Sequence, residues 1–229
     1  MNKNHINPQD VRKSLHAKKY KYDVKKYPFK EILENVFGVE LENLHHWLGE
    51  YSEFSKDTDQ NTILHKVFYA NFKEKISCLF DYFIKNEMAN FIPHDFYYQL
   101  IPTFRVGLPG NKFVGEYHKD SNYNHQDYEL NINLGLSNYF GNACLRAETA
   151  PNSNNFISLE CPYGEVFSFD HINCLHGCEI NTTDKTMISF DFRLALTNFY
   201  FESSAKSIGI GKSFNIGSYF SKEIIKTNL

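Results

Sequence analysis

No stretch of this chain is apolar for long enough to span a bilayer, and residues 1–8 carry neither a continuous apolar run nor a small-residue cleavage pattern. The expectation is a cytoplasmic protein with no membrane partner. Excess basic charge is lacking as well: 24 Lys and Arg against 27 Asp and Glu leave a formal net charge of -3. No global positive field awaits a phosphate backbone, so nucleic acid is not the expected partner. Cysteine is sparse and odd in number. The five residues Cys78, Cys144, Cys161, Cys174 and Cys178 stand at scattered spacings, which argues against a disulfide framework and fits a reducing compartment. Internal repeats are absent. Gly211-Lys212-Ser213 is no phosphate loop, because Lys206 stands where that motif needs glycine and no strand-loop-helix context surrounds it.

What the chain does hold is 42% apolar and 16% aromatic residues over 229 positions, enough for one sizeable core and a single domain. Residues 1–28 are polar and basic and read as a solvated arm. Helical spacing takes over from residue 29. Ile32, Leu33, Val36 and Phe37, then Leu41, Leu44, Trp47 and Leu48, predict short helices broken at Gly38 and Gly49. A longer amphipathic helix is predicted over 61–88, with Leu64, Phe68, Phe72, Ile76, Phe80 and Phe83 in its apolar stripe. The stripe reads as packing, and His45, His46 and His65 as surface or capping residues.

After Pro93 the period shortens to two. Strands are predicted over 99–106, 112–119, 128–136, 143–148, 156–160, 165–169 and 186–196, with a Pro-Gly turn at 108–111 and a polar loop over 120–127. Many short strands after a helical beginning predict a mainly β protein, a sandwich or closed barrel with helices against one outer face. Residues 29–92 form its helical front, 97–196 its β core, and 203–229 a tail or lid closing a domain of 29–202.

The chemistry gathers at Glu116-Tyr117-His118-Lys119-Asp120. On an extended backbone residues i and i+2 point to one side, so His118 and Asp120 can reach one ion together. Cys174-Leu175-His176-Gly177 supplies a second imidazole, and Arg193 ends a later strand. Two neutral imidazoles and a carboxylate, with one face of the metal open, is the ligand set of non-haem Fe(II) oxygenases. Cys174 and Cys178 flank His176 and raise a zinc site, but no second cysteine pair completes it. His125 and His171 could each replace a ligand; His125 falls in a loop and His171 lacks the Leu-His-Gly setting.

With Arg105-Val106-Gly107-Leu108-Pro109-Gly110-Asn111, Glu129-Leu130-Asn131, Asn181-Thr182-Thr183 and Ser189-Phe190-Asp191-Phe192-Arg193, these motifs resemble the Fe(II)/2-oxoglutarate-dependent oxygenases. The likeness is to bacterial members similar to the StrG proteins and, more distantly, to phytanoyl-CoA dioxygenases. It implies a double-stranded β-helix, a cupin-like jelly roll, with Fe(II) on His118, Asp120 and His176. Arg193 would bind the distal carboxylate of the co-substrate 2-oxoglutarate, and O2 would take the remaining position. Ser189 shares the strand face of Arg193, as does Asp191, which orients Arg193 or forms a purely structural pair. Asn131 and Arg105 are co-substrate or substrate contacts, or else polar residues satisfied within the packing. One departure is Thr186-Met187, where close relatives carry an arginine before the serine of the last strand.

The implied reaction is hydroxylation or desaturation of a small or carrier-borne metabolite, such as a sugar or capsule-type intermediate. Chlorination is disfavoured, because Asp120 supplies the carboxylate that related halogenases lack. Two other readings remain open. A cupin-like metal-dependent isomerase or epimerase would leave Arg193 structural, and a non-catalytic carbohydrate-binding jelly roll would make the triad polar packing.

Overall fold

The computed structural model describes residues 7–51, 61–112, 116–206 and 213–229. Helix α1 (Pro8–Leu15) opens behind Asn7, whose side chain accepts from the Asp10 backbone N–H at 2.8 Å, with Pro8 where a missing N–H costs nothing. Strand β1 (Lys19–Lys21) follows, then α2 (Phe29–Phe37). α2 ends at Gly38, whose φ of 71° is the left-handed closure that favours glycine. A 3-10 turn covers Leu41–Trp47. The long helical stripe is α3 (Ile63–Asn71), α4 (Ser77–Phe83) and α5 (Ala89–Phe91), joined by wider π turns at Phe72–Ile76 and Ile84–Met88.

The strands are β2 (Phe96–Tyr98), β3 (Thr103–Gly107), β4 (Glu129–Gly135), β5 (Leu145–Glu148), β6 (Phe156–Leu159), β7 (Glu165–Phe169), β8 (His176–Cys178) and β9 (Met187–Leu196). They form two antiparallel sheets, one ordered β1-β7-β4-β9-β2 with β3 also paired to β9, the other β6-β5-β8. The fold is therefore mixed α/β. No helix among the described residues is long and apolar enough to cross a membrane.

β9 decides where the core and the pocket lie. All ten of its residues are buried, so each face of the strand meets protein. Ile188, Phe190, Phe192 and Leu194 point toward the helices, where the Phe190 ring packs on Phe29, Phe68 and Phe80 at centroid distances of 5.7, 5.4 and 6.3 Å. Ser189, Asp191 and Arg193 alternate onto the opposite face. There the small sheet closes over the large one, with Leu145, Ala147 and Cys178 packed against Phe167, Phe169 and Met187.

Three expectations are corrected. The described part of the solvated arm, residues 7–28, is docked: Val11 and Leu15 are buried, β1 pairs with β7, and Tyr22 and Tyr27 enter the core. Arg12 is buried with them, its Nε donating to Asp170 Oδ1 at 2.9 Å and its Nη1 to the Asp127 carbonyl, so this one cation of the basic segment is neutralised from across the fold. His65 is 2% exposed rather than on the surface, its Nδ1 2.8 Å from the Thr62 hydroxyl and its ring on the edge of Phe104. The strand over 99–106 survives only from Thr103, as β3: β2 ends at Tyr98, Gln99 makes an isolated bridge to Phe220, and Pro102 has no N–H to offer a ladder. Of the strand over 112–119, residues 113–115 lie outside the described residues, as do Gly209, Gly211 and Lys212 in the C-terminal segment. Phe214, Phe220 and Ile225 of that segment are buried.

If α1 is an integral part of the fold, Asn7→Ala removes a working cap. The expected loss is about 1 kcal/mol, seen as a fall in Tm of roughly 3 °C by circular dichroism. An unchanged Tm would mean that the helix contributes nothing.

Candidate metal centre

Backbone pairing brings the two imidazoles together. His118 N–H donates to the His176 carbonyl at 2.9 Å and His176 N–H returns the bond at 2.9 Å, which sets the ring centroids 4.5 Å apart. Lys119 is extended, and Asp120 opens a 3-10 turn while its N–H donates to the His171 carbonyl at 2.9 Å. As a result Asp120 Oδ1 lies 3.3 Å from His118 Nε2 and 3.3 Å from His176 Nε2. Adjacent donors around an octahedral ion with bonds of about 2.1 Å lie about 3 Å apart, so the triad is spaced for a small divalent cation. Among the described residues this is the one His, Cys, Asp and Glu group that could hold a metal ion.

The far side of each imidazole is fixed as well. His118 Nδ1 is 2.7 Å from the Glu116 carbonyl and His176 Nδ1 is 3.0 Å from the Cys174 carbonyl. A carbonyl can only accept, so each Nδ1 carries the proton and each Nε2 presents its lone pair to the ion. Gly177 lets the strands approach this closely. A Cβ there would lie 2.9 Å from Tyr117 Cγ and 3.1 Å from Tyr117 Cα. Gly177→Ala is therefore expected to push the His118 segment outward, costing about 1–3 kcal/mol and weakening metal binding. Equilibrium dialysis against Co(II), beside a melting curve, measures both; full metal affinity with an unchanged Tm would contradict the close-approach argument.

Behind the triad lies a charged chain. Asp120 Oδ2 accepts from Arg193 Nη2 at 2.6 Å, and Arg193 Nη1 donates to Asp191 Oδ1. Asp191 Oδ1 also takes the Asn131 amide at 2.7 Å, while its Oδ2 takes Arg105 Nε and Nη2 at 3.2 and 3.0 Å. Burial pushes the Asp120 carboxyl up, but Arg193 and the two imidazoles outweigh it and hold the group well below the usual carboxylate range. Asp191 is shifted the same way: burial raises it, and Arg193 and Arg105 bring it below its ordinary value. Arg193 is held charged, because Asp191 and Asp120 overcome the burial that works against the cation.

His118, Asp120, His176, Arg193, Asp191 and Arg105 line one pocket between the sheets. Asn131, Asn133, Leu145 and Phe169 complete its wall. Arg193 Nε and the Oδ1 atoms of Asn131 and Asn133 are buried there without a protein hydrogen-bond partner, which is the signature of a pocket that receives a polar molecule. Ser189 is buried on the same strand face, directly opposite Arg105 in the β3–β9 register.

The other candidates fall elsewhere. His125 Nδ1 pairs with the buried Glu129 at 2.7 Å, and His171 is wholly buried beside it, lowered well below its ordinary pKa by burial and by the Arg193 charge. Cys174 and Cys178 are buried thiols outside the triad, and Cys174 serves through its carbonyl. Sequence reading missed Asn133, which its spacing from Asn131 places on the same strand face. It also missed Glu148, whose carboxylate takes the backbone N–H groups of Leu175, Asn152 and Asn154 at 2.8, 3.1 and 3.0 Å and so fixes the approach to His176.

No family model matches the chain. The streptomycin biosynthesis protein StrG of Streptomyces griseus is 32% identical over 201 residues, covering 87% of this chain and 95% of that protein. Among solved structures, the non-heme alpha ketoglutarate dependent carbocyclase SnoK from nogalamycin biosynthesis aligns at TM-score 0.46 and 10% identity over 83% of this chain and 86% of its own. EvdO2 from Micromonospora carbonacea var. aurantiaca, solved with 2-oxoglutarate, aligns at 0.40 and 10% over 85% and 91%. Overlap and identity this low say nothing about chemistry.

Proposed function

The chain belongs to the StrG family, and from that premise we propose that it is an Fe(II)- and 2-oxoglutarate-dependent oxygenase whose two sheets form a double-stranded β-helix. The observation that carries the reading is the convergence of two Nε2 atoms on one carboxylate oxygen, at 3.3 Å each, in a pocket that also holds two arginines. Charge supports it. Arg105 and Arg193 balance Asp120 and Asp191, so a bound divalent ion leaves the pocket two units positive, a match for a dicarboxylate. The proposed ligands are His118, Asp120 and His176, and Arg193, Arg105, Asn131 and Ser189 are the residues proposed to frame the co-substrate.

With both groups bound, Fe(II) and 2-oxoglutarate supply O2-dependent oxidative decarboxylation coupled to hydroxylation or desaturation of a substrate. The chain's own contribution is placement. The carbonyls of Glu116 and Cys174 hold both imidazoles in the ligating tautomer, Arg193 holds Asp120 so that Oδ1 faces the ion, and Phe169 and Leu145 keep water from the pocket wall. The substrate class is a small or carrier-borne metabolite, and sugar-type or capsule-type intermediates are the first to assay, because the relative is named for streptomycin biosynthesis.

Anaerobic addition of Fe(II) and 2-oxoglutarate is expected to produce a weak visible charge-transfer band, with succinate released once O2 and a substrate are admitted. Neither Fe(II) nor 2-oxoglutarate alone should give the band. A protein that binds Fe(II) but gives no band and no succinate would favour the isomerase reading; one that binds no metal would favour carbohydrate binding.

A further inference from the structure

Resting on the oxygenase reading above, we propose that Arg105 on β3, not Arg193, clamps the far carboxylate of 2-oxoglutarate, while Arg193 is a positioning residue for the metal ligand Asp120. The two arginines stand at different depths. Arg193 Nη2 is 2.6 Å from Asp120 Oδ2, directly against a ligand of the ion, and its Nη1 is engaged by Asp191. Arg105 makes no ion pair with Asp120 and meets the network one step further in, at Asp191 Oδ2.

The register gives the distance. Arg105 lies opposite Ser189, four residues along β9 from Arg193, so the two backbones are offset by about 13 Å along the strand. A five-carbon dicarboxylate chelating the metal by one end carries its other carboxylate about 5 Å beyond the chelating carbons. A guanidinium bonded to a metal ligand is too near the ion for that group. One that rises from the Ser189 level and leans back to Asp191 stands at the required depth.

Composition along β9 agrees. Met187 and Ser189 face the pocket side beyond Asp191, so this strand offers no cation there, and β3 supplies one from the neighbouring position. The planar fork of Arg105 can hold a carboxylate through two parallel bonds. Removing it leaves Asp191 paired with Arg193 and Asn131, so the network survives the test.

The experiment compares two ligands on anaerobic, Fe(II)-loaded protein by calorimetry: 2-oxoglutarate, and 2-oxopentanoate, which has a methyl group in place of the far carboxylate. The native protein should prefer 2-oxoglutarate by about 100-fold. In Arg105→Met the preference should collapse toward unity with Fe(II) affinity unchanged, and Arg105→Lys should restore part of it. Arg193→Met should keep the preference while Fe(II) affinity falls about 10–100-fold. Retained preference in Arg105→Met, or its collapse in Arg193→Met alone, overturns the assignment while the oxygenase reading stands. A metal-loaded native protein that binds neither oxoacid sinks both.

Discussion

His176→Ala is expected to lose Fe(II) binding by a factor of about 100 or more, and with it the visible band and all succinate release. Zinc held by four side chains is worth roughly 10–16 kcal/mol, so one ligand of such a set carries about 3 kcal/mol, which is more than two decades in affinity. The fold should survive. The backbone bonds between His118 and His176 do not need the imidazole, and the Cys174 carbonyl it leaves can accept from water. Metal affinity by anaerobic dialysis, read beside an unchanged far-ultraviolet spectrum, separates a lost ligand from a lost fold. A variant that holds Fe(II) as tightly as the native chain would remove the triad as the metal centre.

Asp191→Ala is expected to act on stability instead. Asp191 is the only acid that pairs with both Arg105 and Arg193 among the described residues, and its loss takes a buried carboxylate from the buried Arg193, which keeps Asp120, and from the half-buried Arg105. Breaking a buried pair this way costs about 3–5 kcal/mol, a fall in Tm on the order of 10 °C for a chain of this size. Asp191→Asn, which keeps the shape and loses the charge, should be nearly as destabilising, while Ser189→Ala should move Tm far less. Acidity should imitate the substitution. Asp191 titrates lower in the folded chain than its unfolded value near 3.9, so its contribution is complete above about pH 4 and is lost as pH falls through the depressed folded value. Thermal unfolding followed between neutral pH and pH 3 should show the difference between native protein and Asp191→Asn narrowing at the acid end.

The triad was legible because its geometry follows from local rules. His118 and Asp120 share a side at a separation of two, and the Leu-His-Gly setting marks His176 as a strand residue against close backbone. β9 was legible for a related reason: Phe190 and Phe192 alternate with Ser189, Asp191 and Arg193, so the period of two survives although both faces are buried. Where the partner is remote, sequence is silent. Nothing near Arg12 announces Asp170, 158 residues away, and without that partner a basic segment reads as a solvated arm. The same holds for Arg193. Its strand and face could be read from spacing, but its bond to Asp120 depends on how two loops and a strand meet in space.

β9 pairs with β2, β3 and β4 and so forms the centre of the large sheet, yet it is the last strand of either sheet in chain order. During synthesis the earlier strands leave the ribosome with their edges open and their principal partner still unmade. Assembly by contacts this distant in sequence is slow, and waiting edges recruit other chains. Yield in a host should therefore respond to growth temperature and chaperone supply more than to the stability of the finished protein, and chains cut short before Met187 should accumulate as aggregates.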